Sequence, residues 1–151
     1  MAQEEDRAGA TDTNFCVAGR LRMLSRIITS LYNEAFAPVG VTYAQASLLM
    51  SIFAQPGVRQ VMLSRRLQIE KSALSRDVQG LLRHGWIGEN VRNGLYLTEE
   101  GNRVAKRCHT IWKEVHEQVR DKLGEDSLQA LAQFSDQLFS VKAGRNHESF
   151  P

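Results

Sequence analysis

The chain has 151 residues, 42% hydrophobic and 24% charged, with a formal net charge of +2. That length supports one domain with a real core. Two cysteines, Cys16 and Cys108, do not make a disulfide scaffold in a chain this long. No apolar run approaches the roughly 20 residues a bilayer-spanning helix needs. The opening MAQEEDRAGATDTN is acidic and polar, unlike a signal peptide, so a soluble, cytoplasmic protein with no membrane partner is expected. The charge is unevenly placed. Val58 to Tyr96 holds seven cations (Arg59, Arg65, Arg66, Lys71, Arg76, Arg83, Arg92) against Glu70, Asp77 and Glu89, a balance of +4, whereas residues 1–14 carry −3. A nucleic-acid-binding module concentrates positive charge in this way.

In chain order, residues 1–13 read as a disordered tail. Helix one is expected over about 14–37, where Val17, Leu21, Leu24, Ile28, Leu31 and Ala35 recur at intervals of 4, 3, 4, 3 and 4. Pro38 and Gly40 end it. So long an apolar stripe needs a covering surface, from within the chain or from a second copy of it. Thr42 and Gln45 have capping-box spacing and start helix two, running to Ala54 with Ala46, Leu49, Ile52 and Phe53 as core. Gln55-Pro56-Gly57 breaks it. Val58 to Val61 is expected as a short edge strand, and Met62 to Gln68 as helix three, with Leu63 and Leu67 inward.

Helix four is expected over about Lys71 to His84. At 100° per residue Leu74, Val78, Leu81 and Leu82 share one arc, while Ser72, Arg76, Gln79 and Arg83 fall roughly opposite. The apolar arc anchors the helix, and the polar arc offers hydroxyl, amide and guanidinium groups suited to a DNA major groove. From Trp86 to Thr98 two short β-prone runs flank Asn93-Gly94, a pair typical of the type I′ turn, in which both central residues take positive φ. A hairpin directly behind a helix-turn-helix makes a winged helix-turn-helix, at about 42–98. Thr98 caps helix five, with stripe Val104, Cys108, Ile111, Val115, Val119 and Leu123. Gly124 breaks it, and a sixth helix follows from about Asp126 or Ser127, lined by Leu128, Leu131, Ala132, Ser135, Leu138 and Phe139. A polar tail occupies 144–151. The expected fold is mainly α, a single unit over 14–143: a winged helix-turn-helix with a small β-hairpin wing, plus helices at 14–37 and 98–143. These flanking helices carry more apolar surface than a winged unit needs, which points to dimerisation; the alternative is that they cover their own chain.

Leu63-Ser-Arg-Arg-Leu67, Ile69-Glu-Lys-Ser-Ala-Leu-Ser-Arg76, Leu81-Leu-Arg-His-Gly-Trp-Ile87 and Leu95-Tyr-Leu-Thr-Glu-Glu-Gly101 together resemble the MarR (multiple antibiotic resistance regulator) family, over about residues 15–142. The resemblance implies a homodimer bound to pseudo-palindromic double-stranded DNA. It also implies a repressor released by a small aromatic or phenolic effector or by thiol oxidation. It assigns Lys71, Ser72, Ala73, Ser75 and Arg76 to the part of the recognition helix that meets bases and phosphates. Arg76 is the leading candidate, for guanine or for phosphate; the plain alternative is a solvated surface charge. Gln79, Arg65, Arg66 and Arg92 complete the candidate DNA contacts. Three departures stand out. Gln68 occupies a turn position where the family often has Gly, Val61 a position where a capping Ser or Thr is common, and the wing is short, with Arg92 its only cation at the tip.

Cys16, near the start of helix one, is a candidate redox sensor, because a helix N-terminus favours the thiolate. The peroxide-sensing branch of the resembled family also has its cysteine there, with tyrosines that Tyr32 and Tyr43 could match. The alternative for Cys16 is a small buried apolar residue, the role expected for Cys108. His109 and His116 share a helical face without an evident third ligand, so no metal or cofactor is expected. Met23, Tyr32, Phe36 and Trp112 are candidates for an aromatic-ligand pocket, or are simply core. Nucleotide-binding, zinc-protease and serine-hydrolase motifs are missing, so an enzyme is not expected. The remaining alternative is a winged-helix protein-interaction module that does not bind specific DNA.

Overall fold

The computed structural model describes residues 16–145. The tail expected over 1–13, the first residues of helix one and most of the tail expected over 144–151 lie outside them. Five helices and one hairpin follow in order: α1 Val17–Phe36, α2 Tyr43–Ala54, α3 Gln60–Leu67, α4 Lys71–Arg83, β1 Ile87–Asn90, β2 Gly94–Leu97 and α5 Glu99–Arg145. The fold is mainly α with a two-stranded antiparallel wing behind a helix-turn-helix, as expected. The chain divides into two compact units after Cys108. Each is taken by itself.

In the first unit α1 passes into a single 3-10 turn, Ala37–Val39, which Pro38 favours and Gly40 closes at φ 74°. The capping box on α2 is complete: Gln45 N–H donates to Thr42 Oγ1 at 3.2 Å, and Thr42 N–H donates to Gln45 Oε1 at 3.1 Å. The core gathers Phe36, Leu48, Leu49, Ile52, Leu63, Leu74, Val78, Leu81 and Leu95, all essentially inaccessible. Phe53 is not among them. It is 45% exposed, and Leu48 takes the inward place expected of it, because α2 is apolar on most sides and spacing alone does not choose its inner face.

The edge strand expected over Val58 to Val61 shrinks to one bridge, Val58 opposite Leu95. Arg59 is already the N-cap of α3, without a side-chain cap, and Val61 lies inside the helix. Gln68 ends α3 in the left-handed region at φ 53°, the one non-glycine among the described residues at positive φ. Its Nε2 donates to the Arg65 carbonyl at 2.7 Å, so the side chain offsets part of what glycine would have supplied.

The hairpin pairs Ile87 with Leu97 and Asn90 with Gly94. This leaves a three-residue loop, 91–93, in place of the two-residue type I′ turn. Only Gly94 has positive φ, 72°. Asn90 Oδ1 accepts from the N–H of Arg92 at 2.9 Å and, more weakly, from that of Asn93 at 3.4 Å, so the asparagine that shapes the turn is Asn90. The wing is tied back to the preceding loop. Gly57 N–H donates to the Leu95 carbonyl at 2.8 Å, and Leu95 N–H to the Val58 carbonyl at 3.0 Å. Gln60 Nε2 donates to Glu89 Oε1 at 2.8 Å. Thr98 caps α5, its Oγ1 accepting from Gly101 N–H at 3.0 Å while its hydroxyl donates to the Gly85 carbonyl at 2.7 Å.

The second unit begins at His109, within α5. Gly124, at φ 76° and ψ 160°, interrupts that helix where a break is expected, and the helix resumes directly. Val115 is buried, while Leu123, Leu131, Leu138, Phe139 and Val141 are exposed. Among the described residues no single helix is long and apolar enough to cross a membrane.

Candidate nucleic-acid interface

The helix-turn-helix presents its polar side because its apolar side is fully used. Leu74, Val78 and Leu81 are sunk in the core, and Gly80 is buried beside them. That leaves Lys71, Ser72, Ser75, Arg76, Gln79 and Arg83 exposed along the opposite face of α4. Ala73 is half-buried, and so reaches outward less than its neighbours. Arg65 and Arg66 are exposed on α3, and Arg66 Nη1 lies 3.4 Å from Gln55 Oε1. Arg92 is exposed at the wing tip beside Val91, which is 98% exposed.

Most of these groups have no partner of their own. Among the described residues, Lys71, Arg76 and Arg92 enter no ion pair, the recorded ones being Arg103 with Glu99 and Glu100, and Arg120 with Glu125. Arg76 does act on its neighbour Asp77. Partial burial pushes the Asp77 carboxyl above its usual range, and the Arg76 charge pulls it back in part. Charges left unpaired on one face of a convex helix suit a polyanion better than a small substrate.

Two features of this surface are not apparent from helical spacing. Ser72 Oγ–H donates to Glu70 Oε2 at 2.9 Å, placing an acid at the head of α4. An open concavity of about 250 Å³ between α3 and α4 is lined by Gln60, Val61, Ser64, Lys71, Leu74 and Ser75. Residues on two helices make it, so no single periodic stripe reveals it.

The other candidates are placed as follows. Cys16 is exposed as the N-cap of α1, which removes the buried-apolar alternative within the single chain. Cys108 is buried, and burial holds its thiol above the usual range despite the Arg107 charge. Tyr32 is buried, with its ring centroid 5.0 Å from that of Tyr43, and Phe36 stacks on Tyr43 at 6.5 Å. Burial, then the neighbouring Tyr43, raises the Tyr32 phenol above its ordinary value. Met23 is 44% exposed. Trp112 belongs to the second unit, stacked between His109 at 5.9 Å and His116 at 4.8 Å. The two imidazoles stack on an indole there instead of converging.

A family model described as MarR family matches residues 39–94, which take in α2 to α4 and the wing as far as Gly94. The multiple antibiotic resistance protein MarR of Escherichia coli is 28% identical over 121 residues, 75% of this chain and 84% of that protein. A cysteine-to-serine mutant of Escherichia coli MarR, solved in complex with operator DNA, superposes with TM-score 0.68 at 26% identity, covering 80% of this chain and 91% of that one. A Mycobacterium tuberculosis MarR-family protein, solved in complex with salicylic acid, superposes with TM-score 0.62 at 17% identity, covering 83% and 98%. The matched winged unit, the relative that spans three quarters of the chain and the shared fold agree: this chain is similar to MarR-family transcriptional regulators in the sequence of its winged unit and in its fold.

Proposed function

We propose that the protein is a homodimeric repressor that sets α4 of each protomer into a major groove of a pseudo-palindromic operator, acting in the cytoplasm. The observation that carries this is the unpaired Lys71, Ser75, Arg76 and Gln79 face of α4 above a fully buried apolar face. Arg76 is the principal base or phosphate contact. Lys71, Ser72, Ala73 and Ser75 form the leading edge, with Gln79 behind, while Arg65, Arg66 and Arg92 meet backbone phosphates. The half-sites then lie about one helical turn, roughly 34–36 Å, apart.

The dimer is supported by apolar stripes left uncovered in the single chain. On α1, Val17, Leu24, Ile28 and Leu31 are 60%, 49%, 39% and 40% exposed, and beyond Gly124 Leu131, Leu138 and Phe139 are equally bare. A second copy covers them. Release follows one of two routes. An aromatic carboxylate of the salicylate kind fits the concavity beside α4, with its ring on Val61 and Leu74 and its charge on Lys71. Alternatively Cys16 is oxidised. Cys16 and Tyr32 are separated by about 24 Å of α1, so the tyrosine hydroxyls that serve a sensing thiol come from the other protomer.

The test is titration of DNA from upstream of the protein's own gene, at several salt concentrations. Five cations per protomer face the DNA, ten in the dimer; with about half on phosphates, log K falls with log salt at a slope of roughly −4 to −5. Arg76→Ala weakens binding about tenfold or more and Arg92→Ala less, because the short wing offers one cation. A larger loss for Arg92→Ala overturns the primacy of α4, and no binding at low salt overturns the DNA reading in favour of a protein-interaction module. Peroxide release that is unchanged by Cys16→Ser removes Cys16 as the sensor.

A further inference from the structure

The head of the recognition helix carries an arrangement that a phosphate-binding surface would not need. Glu70 is the N-cap residue of α4, yet its side chain makes no capping hydrogen bond. It accepts the Ser72 hydroxyl proton at 2.9 Å instead. Among the described residues Glu70 enters no ion pair, although Lys71 is adjacent in sequence. Both Glu70 and Ser72 are exposed.

The proton inventory decides what this pair can recognise. A carboxylate has acceptor oxygens only, and Ser72, having given its one proton to Glu70, has only lone pairs left to offer. The pair is therefore an acceptor-only corner at the leading end of a helix whose exposed cations, Lys71, Arg76 and Arg83, only donate. Phosphate oxygens, guanine N7 and O6, and thymine O4 are all acceptors and are repelled by it. The groups in the major groove that match are the exocyclic amino groups, N4 of cytosine and N6 of adenine. An acid here also weakens binding to arbitrary DNA, because it faces phosphate wherever the correct base is missing.

Resting on the DNA-binding reading above, we infer that the Glu70–Ser72 pair is a specificity determinant, with Glu70 accepting a hydrogen bond from a base amino group at one position of each half-site. Ser72 is a positioning residue that holds the carboxylate.

The test is selection of binding sites from a random double-stranded DNA pool by the full-length wild-type protein, Glu70→Ala, Glu70→Gln and Ser72→Ala, with circular dichroism to show that each is folded. The wild type enriches a motif in which at least one column per half-site strongly favours a single base pair, and the column that the variants relax identifies the amino group read. Glu70→Ala loses roughly tenfold discrimination in that column and keeps the others. Glu70→Gln shifts the column toward adenine, which an amide reads through two bonds, and binds unrelated DNA more tightly at low salt. Ser72→Ala relaxes the same column less. An unchanged motif with Glu70→Ala, or equal weakening on all sequences, overturns the inference, the second outcome marking a purely structural acid. A wild type that enriches no motif fails the DNA-binding reading itself and is recognised before any variant is compared.

Discussion

Gly101→Ala tests how closely the exit of the wing is built. Gly101 sits in the first turn of α5 against the backbone of Trp86. A Cβ added there would lie 1.7 Å from the Trp86 carbonyl oxygen and 2.7 Å from its carbon. An ordinary carbon-to-oxygen contact is about 3.3 Å or more, so one of the two backbones has to move by roughly 1.6 Å, and no rotamer change can absorb this. The same carbonyl accepts from the Thr98 N–H at 3.0 Å and lies 3.2 Å from the Thr98 hydroxyl. Overpacking costs about 1–3 kcal/mol and each weakened hydrogen bond about 1 kcal/mol, while alanine returns about 1 kcal/mol of helix propensity. The net loss is about 2–4 kcal/mol, a fall in Tm on the order of 10 °C. Thermal melts at one fixed protein concentration measure it, since the proposed dimer would make Tm depend on concentration. Gly19→Ala is the internal control: its Cβ meets only Cys16 Cβ, at 3.8 Å, so it raises stability by about 0.5–1 kcal/mol. Gly101→Ala melting at or above the wild type would refute the argument.

Gln68→Ala keeps the left-handed φ and loses the bond to Arg65, and so destabilises by about 1 kcal/mol. Gln68→Gly relieves the φ and loses the same bond, leaving stability within about 0.5 kcal/mol of wild type in urea titration; equal losses for the two would show that φ is not the issue. Asp77, whose folded carboxyl is raised above its unfolded value mainly by burial, binds protons more readily when folded. Its charged form therefore penalises the fold above the raised value, and the penalty is relieved as pH falls through it. Asp77→Asn is accordingly as stable as wild type or more so at pH 7, with an advantage that vanishes below about pH 4; an advantage that grows on acidification contradicts this. Native alkylation labels exposed Cys16, while buried Cys108, whose thiol is raised, reacts only after denaturation. Mass spectrometry counts the adducts, and two adducts on the native protein would show that Cys108 is open.

The elements were legible where one face had to be apolar and punctuation was strong. Leu74, Val78 and Leu81 separate the two sides of α4 without ambiguity, Thr42 with Gln45 marks the start of α2, and Gly124 interrupts α5 as glycine at positive φ. Legibility failed where more than one arrangement satisfies the same residues. Phe53 belongs to a helix apolar nearly all round, so only tertiary packing decides that it points outward. Asn93-Gly94 marks a reversal, but the side chain of Asn90 and the backbone of Gly57, which local propensity does not report, choose a three-residue loop. Val58 has the composition of a strand, and only its bridge to Leu95 limits it to one residue. At the interface, the exposed cations followed from helical geometry. The Glu70–Ser72 bond and the concavity shared by α3 and α4 did not, since each depends on distances that periodicity leaves free.

The wing is a short hairpin, yet it is not a free finger. Leu95 exchanges backbone bonds with Gly57 and Val58, Gln60 grips Glu89, and a Cβ on Gly94 would stand 2.3 Å from the Gly57 carbonyl oxygen. The loop before α3, α3 itself and the wing are thus bolted into one plate, and the buried side of α4 is packed into the core beneath it. Moving the wing away from α3 has to break the Leu95 bonds to Gly57 and Val58 and the bond between Gln60 and Glu89. If two copies hold an operator as proposed, a releasing signal that leaves these bonds intact acts on the plate whole, by occupying its outer surface or by changing the spacing at which the two copies present their plates to the duplex. A set of operators with the half-site spacing altered one base pair at a time would therefore report on the signal more directly than any probe attached to the wing.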